Sequence, residues 1–205
     1  MPLPPEALSI NGSCNCRRIS WRMTIPSLKD RPYHPNFDPS SKLAPVYLPY
    51  IFTDHCNDCR NATGSILPAW ISGSLDYLEV SFRDCSSHDV EDYIPGKDAI
   101  ARPHKFVKDY LSFYNSSPGK YRSFCTNCGT HLFFWEERLP ELFDVALGTV
   151  VREQLEQLSP ERHLWWDRAL PWIKDYLDGG DRGNIERHVE SQMNIRYLLQ
   201  GEKSP

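Results

Sequence analysis

The sequence reads Cys125-Thr126-Asn127-Cys128-Gly129 in its second half, and Cys14-Asn15-Cys16 near its start. Thiolates this close together can bind one ion, and zinc takes four ligands in a tetrahedron. On an extended chain the side chains of Cys14 and Cys16 project to the same side. Gly129 allows a tight turn whose backbone amides face the sulfur atoms. We therefore predict a structural zinc site of Cys14, Cys16, Cys125 and Cys128 that joins distant parts of the chain and stabilises the fold.

A third cysteine pair lies in the segment Asp54-His55-Cys56-Asn57-Asp58-Cys59-Arg60. Cys56 and Cys59 can share an ion, and Asp54 lies two residues before Cys56 on the same face of a strand. A carboxylate is a competent zinc ligand, so these three residues can occupy three corners of a tetrahedron. The fourth corner would stay open for water or substrate, as in a catalytic zinc site. We predict Asp54, Cys56 and Cys59 as catalytic residues and as ligands of a second zinc ion.

Two neighbours of this pair leave alternatives open. His55 should point to the opposite side of the strand and act as a supporting or core residue, although a turn of the backbone would let it replace Asp54 as ligand. Arg60 is a candidate for binding an anionic substrate or cofactor group or for compensating the thiolate charge. The alternative for Arg60 is a surface cation with no special role.

Length and composition favour one globular domain with a real core: 205 residues, of which 40% are hydrophobic. The net charge of −4 argues against a nucleic-acid partner. No apolar run has the length of a signal peptide or a membrane span, so we expect a cytoplasmic protein with reduced cysteines and no membrane partner. Cys85 is expected to be a free thiol. The oligomeric state, monomer or homodimer, stays open.

Hydrophobic alternation predicts a mostly β, antiparallel fold. Ile19, Trp21, Met23 and Ile25 fall on one face of a strand. Further short strands are predicted at residues 47–52, 66–71, 75–82, 105–114, 121–124, 132–135 and 142–150. A short helix is predicted at 151–158. The aromatic segment 162–177 is expected to pack back over the sheet.

The chain is predicted to divide into a zinc-binding domain at residues 1–180 and a C-terminal helical tail at residues 181–205. Within the domain, residues 26–50 are a proline-rich insertion that can be neither helix nor central strand. It is either a lid or binding loop over a site or a surface insertion. In the tail, Ile185, Val189 and Met193 recur every four residues, which is typical of an amphipathic helix.

Taken together, these motifs resemble the glutathione-dependent formaldehyde-activating enzyme (GFA) family, which includes the centromere protein V type. The resemblance rests on the three cysteine segments in order and on the aromatic segment beginning His163-Leu164-Trp165-Trp166. It implies an Mss4-like, zinc-stapled β fold, with a structural zinc on the outer two pairs and a more labile zinc on the middle motif. It also implies formation or cleavage of carbon–sulfur bonds, with adducts of glutathione and an aldehyde as the type substrate. We therefore predict a carbon–sulfur lyase that acts on a thiol adduct or on a carbonyl compound.

One position departs from the family pattern. The middle motif of the family is Cys-x-Cys-x-x-Cys, and its first cysteine is Asp54 here. A carboxylate keeps the charge but is a weaker ligand for a soft metal than sulfur. Alternatively, the site works without metal and Asp54 is a general base.

Three functions stay open at this point. The first is a zinc-dependent carbon–sulfur lyase, and the second is a repurposed hydratase, isomerase or lyase that uses Asp54. The third is a non-catalytic zinc module that binds a partner. An enzyme should have a concave pocket beside Cys56 and Cys59, whereas a binding module should expose an apolar patch.

Overall fold

The structure is a computed structural model that describes residues 3–36, 38, 40, 45–83, 92–101, 105–180 and 186–187. Strands β1 to β12 run over Leu8–Ser13, Ile19–Ile25, Tyr50–Asp54, Ala69–Ser74, Leu78–Phe82, Tyr93–Pro95, Leu111–Ser117, Lys120–Cys125, His131–Glu136, Leu142–Ala146, Arg162–Leu164 and Glu186–Arg187. Helices α1 to α4 run over Asn57–Thr63, Lys105–Lys108, Arg152–Leu155 and Pro171–Gly180, and a π-helical turn covers Lys97–Ala101.

The described strands form two sheets. The smaller has the order β1-β2-β5-β6, and the larger has the order β12-β11-β3-β4-β10-β9-β8-β7. The mostly β fold class with few helices is confirmed. Pairing is antiparallel except at β11, which runs parallel to β3 and to β12. Residues Arg162–Leu164 of the aromatic segment thus extend the sheet as a strand instead of packing over it.

The core lies between the sheets and follows the predicted alternation. Ile19, Trp21, Met23 and Ile25 of β2 have no exposed surface. The ring of Trp21 approaches Gly12 so closely that a Cβ atom at position 12 would lie 2.3 Å from the indole. Gly12 therefore allows the first cysteine pair to sit directly against the core.

The larger sheet buries its second face as well. Tyr50, Phe52, Trp70, Leu142 and Leu164 form a separate apolar cluster on this face, which we call the outer face. The register aligns Phe52 with Trp70, and aligns Tyr50 with Ser72 and Ser72 with Asp144. Because side chains alternate along a strand, the outer face receives every second residue of each central strand.

The proline-rich loop contributes to this outer face. Tyr33 and Tyr47 form an isolated antiparallel bridge, and the backbone amide of His34 donates to the carbonyl of Val46. His34 and Val46 are both buried, so this loop packs into the domain through residues near both of its ends.

The strand predicted at 105–114 and the predicted helical tail differ from the elements that the structure describes there. The strand predicted at 105–114 begins instead with helix α2, because Phe106 and Tyr110 are spaced to stack with each other and with Phe82. Of the predicted helical tail, the structure describes Glu186–Arg187, which form strand β12, and the remainder lies outside the described residues. Among the described residues, no helix is both long and apolar enough to cross a lipid bilayer.

Candidate metal centres and active-site cavity

The four outer cysteines come together as predicted. Cys14 and Cys16 follow β1, while Cys125 ends β8 and Cys128 lies in the turn before β9. The Sγ atoms of Cys14 and Cys16 are 3.5 Å apart, and those of Cys16 and Cys125 are 3.7 Å apart. A tetrahedron with zinc–sulfur bonds of about 2.3 Å places its sulfurs about 3.8 Å apart. The cluster therefore has the spacing of a four-thiolate zinc site.

The backbone of this cluster is folded around the sulfur atoms. Gly129 adopts a left-handed conformation with φ of 71°, and its amide donates to the carbonyl of Cys125. Burial raises the pKa of Cys14 to about 12. Burial also acts to raise the pKa of Cys128, but hydrogen bonds from Thr130 and from the backbone outweigh it and lower that pKa to about 6. Because the pKa values of the four thiols differ, some of them keep their protons near neutral pH. A bound zinc ion would displace these protons.

The middle cluster also brings its three predicted residues together. Asp54 ends β3, Cys56 precedes α1, and Cys59 lies in the first turn of that helix. One carboxylate oxygen of Asp54 accepts from the amide of Cys56 at 2.7 Å, and the other accepts from the Cys59 thiol at 3.0 Å. The three donor atoms lie within 4.8 Å of one another. These residues could hold a metal ion through one carboxylate and two sulfurs.

Cys56 is the reactive thiol of this cluster. The Cys59 thiol proton is shared between Asp54 and Cys56. The hydrogen bond to Cys56 lowers the pKa of Cys56 to about 6, against the opposing effect of burial, and backbone amides of α1 contribute in the same direction. The same hydrogen bond, together with burial, raises the pKa of Cys59 well above its usual range. Burial raises the pKa of Asp54. Near neutral pH, Cys56 is thus the thiolate that can bind a metal or attack carbon.

His55 points away from the cysteines, on the opposite side of the strand. Its Nε2 atom lies 3.2 Å from Nδ1 of His163, and its ring packs edge-on against Trp166. Burial lowers the pKa of His55 to about 4, so the ring is neutral. Its position is that of a core residue that supports the end of β3.

Arg60 and Arg122 occupy contrasting positions. Arg60 lies on α1, where its guanidinium donates to Asn57 at 3.2 Å, and it is not among the residues that line the cavity described below. Arg122 on β8 is only 3% exposed, and its Nη2 atom donates to Sγ of Cys59 at 3.1 Å. The cation beside the thiols is therefore Arg122. Arg122 was not among the residues predicted for the site, although a charged residue inside the strand segment Tyr121–Phe124 is a signal in the sequence.

A cavity of about 140 Å³ opens beside the middle cluster, on the outer face of the larger sheet. Cys56 and Cys59 lie at its edge, and His34, Leu139 and Trp165 close it from other sides. Its floor is set by strand alternation, because every second residue of five adjacent strands faces it. These floor residues are Tyr50, Phe52, Asp54, Trp70, Ser72, Leu142, Asp144, Phe134, Glu136, Lys120 and Arg122.

The cavity contains groups able to exchange protons. Burial raises the pKa of Asp144 to about 7, and the negative charges of Glu136 and Asp54 add to the effect, while Ser72 and Arg122 partly oppose it. Burial also raises the pKa of Glu136. Burial and the charge of Arg162 lower the pKa of His34 to about 4. Asp144 is therefore a carboxyl group that can both donate and accept a proton near neutral pH.

Comparisons with known proteins find a similar family for part of the chain. Residues 105–168 match the family model described as glutathione-dependent formaldehyde-activating enzyme (GFA). The chain matches none of the curated proteins. Among solved structures, a crystal structure of a Rhodobacter sphaeroides protein matches at 14% identity and a TM-score of 0.37, covering 72% of this chain and 96% of that chain.

The segment that matches the family model contains Cys125 and Cys128 of the four-cysteine cluster and Arg122, Phe134 and Asp144 of the cavity. Cys14 and Cys16 of the four-cysteine cluster lie outside it, as does the whole middle cluster of Asp54, Cys56 and Cys59. Over residues 105–168 of its 205 residues, the chain is similar to the glutathione-dependent formaldehyde-activating enzyme family, in line with the resemblance that the cysteine motifs indicate.

Proposed function

We propose that this protein is an enzyme that forms or breaks a bond between carbon and the sulfur of a thiol, acting on an adduct of a thiol with a carbonyl compound. The observation that carries the proposal is the position of Asp54, Cys56 and Cys59 in the lining of a concave cavity. A binding module would instead present an apolar patch there. The most exposed large aromatic residues described, Trp172 and Tyr176, lie on α4, which contributes no residue to the cavity.

The middle cluster fits a zinc ion with an open coordination position. Asp54, Cys56 and Cys59 supply three ligands of the types that zinc accepts, and Arg122 offsets part of their negative charge. Zinc bound there would supply Lewis acidity toward a thiol sulfur or a carbonyl oxygen. Glutathione is the candidate thiol, because the matching family is named for its dependence on it.

Asp144 is suited to the proton transfer that the reaction needs. When the adduct breaks, its hydroxyl group loses a proton, the carbon–sulfur bond breaks, the sulfur leaves as a thiolate and the carbonyl forms. The Asp144 carboxylate can take the hydroxyl proton and later return it to the thiolate, so that the products are a neutral carbonyl compound and a thiol. A pKa of about 7 suits both halves of this exchange.

The direct test of the proposed function is an exchange assay. Glutathione is mixed with an aldehyde, and exchange between free aldehyde and adduct is followed by NMR with and without the protein. We expect acceleration that depends on protein concentration with at least one of formaldehyde, acetaldehyde and benzaldehyde. If none of the three exchanges faster with the protein than without it, the proposal is contradicted.

Asp144→Asn should slow adduct breakdown about 10²- to 10⁴-fold, the usual contribution of a general acid or base. In the wild type, breakdown should rise with pH up to about 7, where Asp144 becomes a carboxylate, and then level off. The asparagine variant should lack this dependence, and rates measured from pH 5 to pH 9 would show it. An unchanged pH profile in the variant would remove Asp144 from the reaction.

The same variant has a stability signature that needs no substrate. A carboxyl whose pKa is raised on folding from 3.8 to about 7 destabilises the folded state as pH rises between these values, by at most about 4 kcal/mol above pH 7. Asp144→Asn should therefore raise the melting temperature at pH 8 but not at pH 4. An equal change at both pH values would contradict the raised pKa.

Asp54→Cys tests whether Asp54 is a metal ligand. Sulfur is the better ligand for zinc, so the variant should hold the second zinc ion about tenfold more tightly, a difference of about 1.4 kcal/mol. Competition with a chelator would measure the change, and Asp58→Cys on the neighbouring helix provides the control. Unchanged zinc affinity would leave Asp54 the role of a general base.

A further inference from the structure

Arg122 has unused hydrogen-bonding capacity inside the cavity. Its guanidinium is 3% exposed, and one nitrogen donates to Cys59. The other two, Nε and Nη1, have no hydrogen-bond partner among the described residues. Buried charged donors are rarely left unpaired, because the lost hydration is costly. These two buried donors leave hydrogen-bonding capacity next to the Cys59 sulfur that an oxygen acceptor could use after a small shift of the Arg122 side chain.

The cavity sets the size and shape of that ligand. Its volume of about 140 Å³ is close to the roughly 150 Å³ of a protein cavity known to hold a benzene molecule. Aromatic rings form much of its wall, including Tyr50, Phe52, Trp70 and Phe134. Flat rings stack well against such walls. Formaldehyde would leave most of this space empty, and glutathione is too large to be enclosed.

The charges of the cavity restrict the ligand further. Arginine has donors and no acceptor, so it selects an oxygen acceptor and rejects an amine. Four carboxyl groups, those of Asp54, Asp58, Glu136 and Asp144, also line the cavity. They outnumber its two cations, Lys120 and Arg122, and so disfavour an anionic ligand. The combination favours a neutral molecule with one strong acceptor oxygen.

Resting on the proposed function, we propose that the cavity binds the carbonyl partner of the adduct, a neutral aromatic or cyclic aldehyde or ketone about as large as benzaldehyde, with its oxygen held by Arg122. Strand register supports this position. Arg122 lies opposite Phe134 in the strand register, and Phe134 lies opposite Asp144. The backbones of Arg122 and Asp144 are therefore two strand spacings apart, about 10 Å, with Phe134 between them. The Arg122 guanidinium lies over the Phe134 ring, 5.0 Å from its centre. Arg122 and Asp144 therefore face the same cavity from either side of Phe134.

This position assigns a catalytic role to Arg122. When the thiolate of the second substrate attacks the carbonyl carbon, a carbon–sulfur bond forms and the electron pair of the carbonyl bond moves onto oxygen. Arg122 donates to the developing negative charge, and a proton from Asp144 completes the hydroxyl group of the adduct. Breakdown follows the same steps in reverse, and no further reactant is needed.

Binding of benzaldehyde and toluene, measured by calorimetry, tests the proposal. Toluene has the same ring but no oxygen. The comparison uses the wild type and Cys56→Ser, which prevents reversible addition of the Cys56 thiolate to the aldehyde. In both proteins we expect benzaldehyde to bind at least about tenfold more tightly than toluene, the effect of one hydrogen bond to a charged group. Arg122→Gln should remove this preference and leave toluene binding unchanged, whereas the control Arg60→Gln should retain it.

Several results would overturn the proposal. They are equal binding of the two probes to the parent proteins, no binding of either probe, or a preference that survives in Arg122→Gln. If Arg122→Gln does not fold, Arg122→Lys keeps the positive charge beside Cys59 but lacks the planar pair of donors, and it should lose most of the preference. The outcome is separable from the proposed function: an aldehyde preference without thiol exchange contradicts only the proposed function, and exchange without the preference contradicts only this inference.

Discussion

Cys125→Ser should leave the protein largely unfolded or insoluble. Cys125 is 1% exposed and lies in the cluster that links the start of the chain to the turn between β8 and β9. Binding of structural zinc contributes about 10–16 kcal/mol in zinc-finger peptides, whereas the net stability of a typical domain is about 5–15 kcal/mol. Loss of one ligand from a closed site should therefore remove most of the stability of the folded state.

Thermal melting followed by circular dichroism, together with bound zinc, measures this effect. Cys85→Ser is the matched control, because the sequence places Cys85 outside all three cysteine pairs. The control should melt like the wild type. A soluble Cys125→Ser variant with an unchanged melting temperature would show that the four-cysteine cluster does not stabilise the fold.

Cys56→Ser should fold normally and lose at least about 10²-fold in adduct exchange. Its side chain is half-buried at the edge of the cavity and outside the core clusters, so the substitution disturbs little packing. A serine hydroxyl does not ionise near neutral pH, whereas the hydrogen bond from Cys59 lowers the pKa of the Cys56 thiol to about 6. The variant loses the thiolate that binds metal or attacks carbon.

The exchange assay with glutathione and aldehyde measures this loss, and the melting temperature shows whether the fold survives. Cys85→Ser again serves as control, with activity expected to equal that of the wild type. Retained exchange in Cys56→Ser would place the chemistry outside the middle cluster.

Local pattern predicted much of the fold. The alternation of Ile19, Trp21, Met23 and Ile25 identified β2 and its buried face, because burial on one side of a strand leaves a period of two in the sequence. Cysteine spacing likewise identified both clusters, since ligands of one ion must lie close together. Residues from separate pairs could be assigned to one site because zinc needs four ligands.

Features that depend on neighbours distant in sequence were not predicted. Arg162–Leu164 pairs with β3 although more than a hundred residues separate them, and no local pattern records that parallel pairing. The cavity is formed by five strands brought side by side, so Arg122 and Asp144 become neighbours of one ring only in the folded sheet. Arg60 was predicted as a candidate binding residue because it adjoins Cys59. In the structure its guanidinium instead donates to Asn57 on the same helix.

The central claim is that the middle cluster is a second metal site, separable from the structural one. The most direct measurement is zinc per chain by elemental analysis, on wild type and Cys56→Ser purified side by side. We expect two zinc ions per chain in the wild type and one in the variant, because the four outer cysteines keep their ion. One zinc ion in both proteins would contradict the claim.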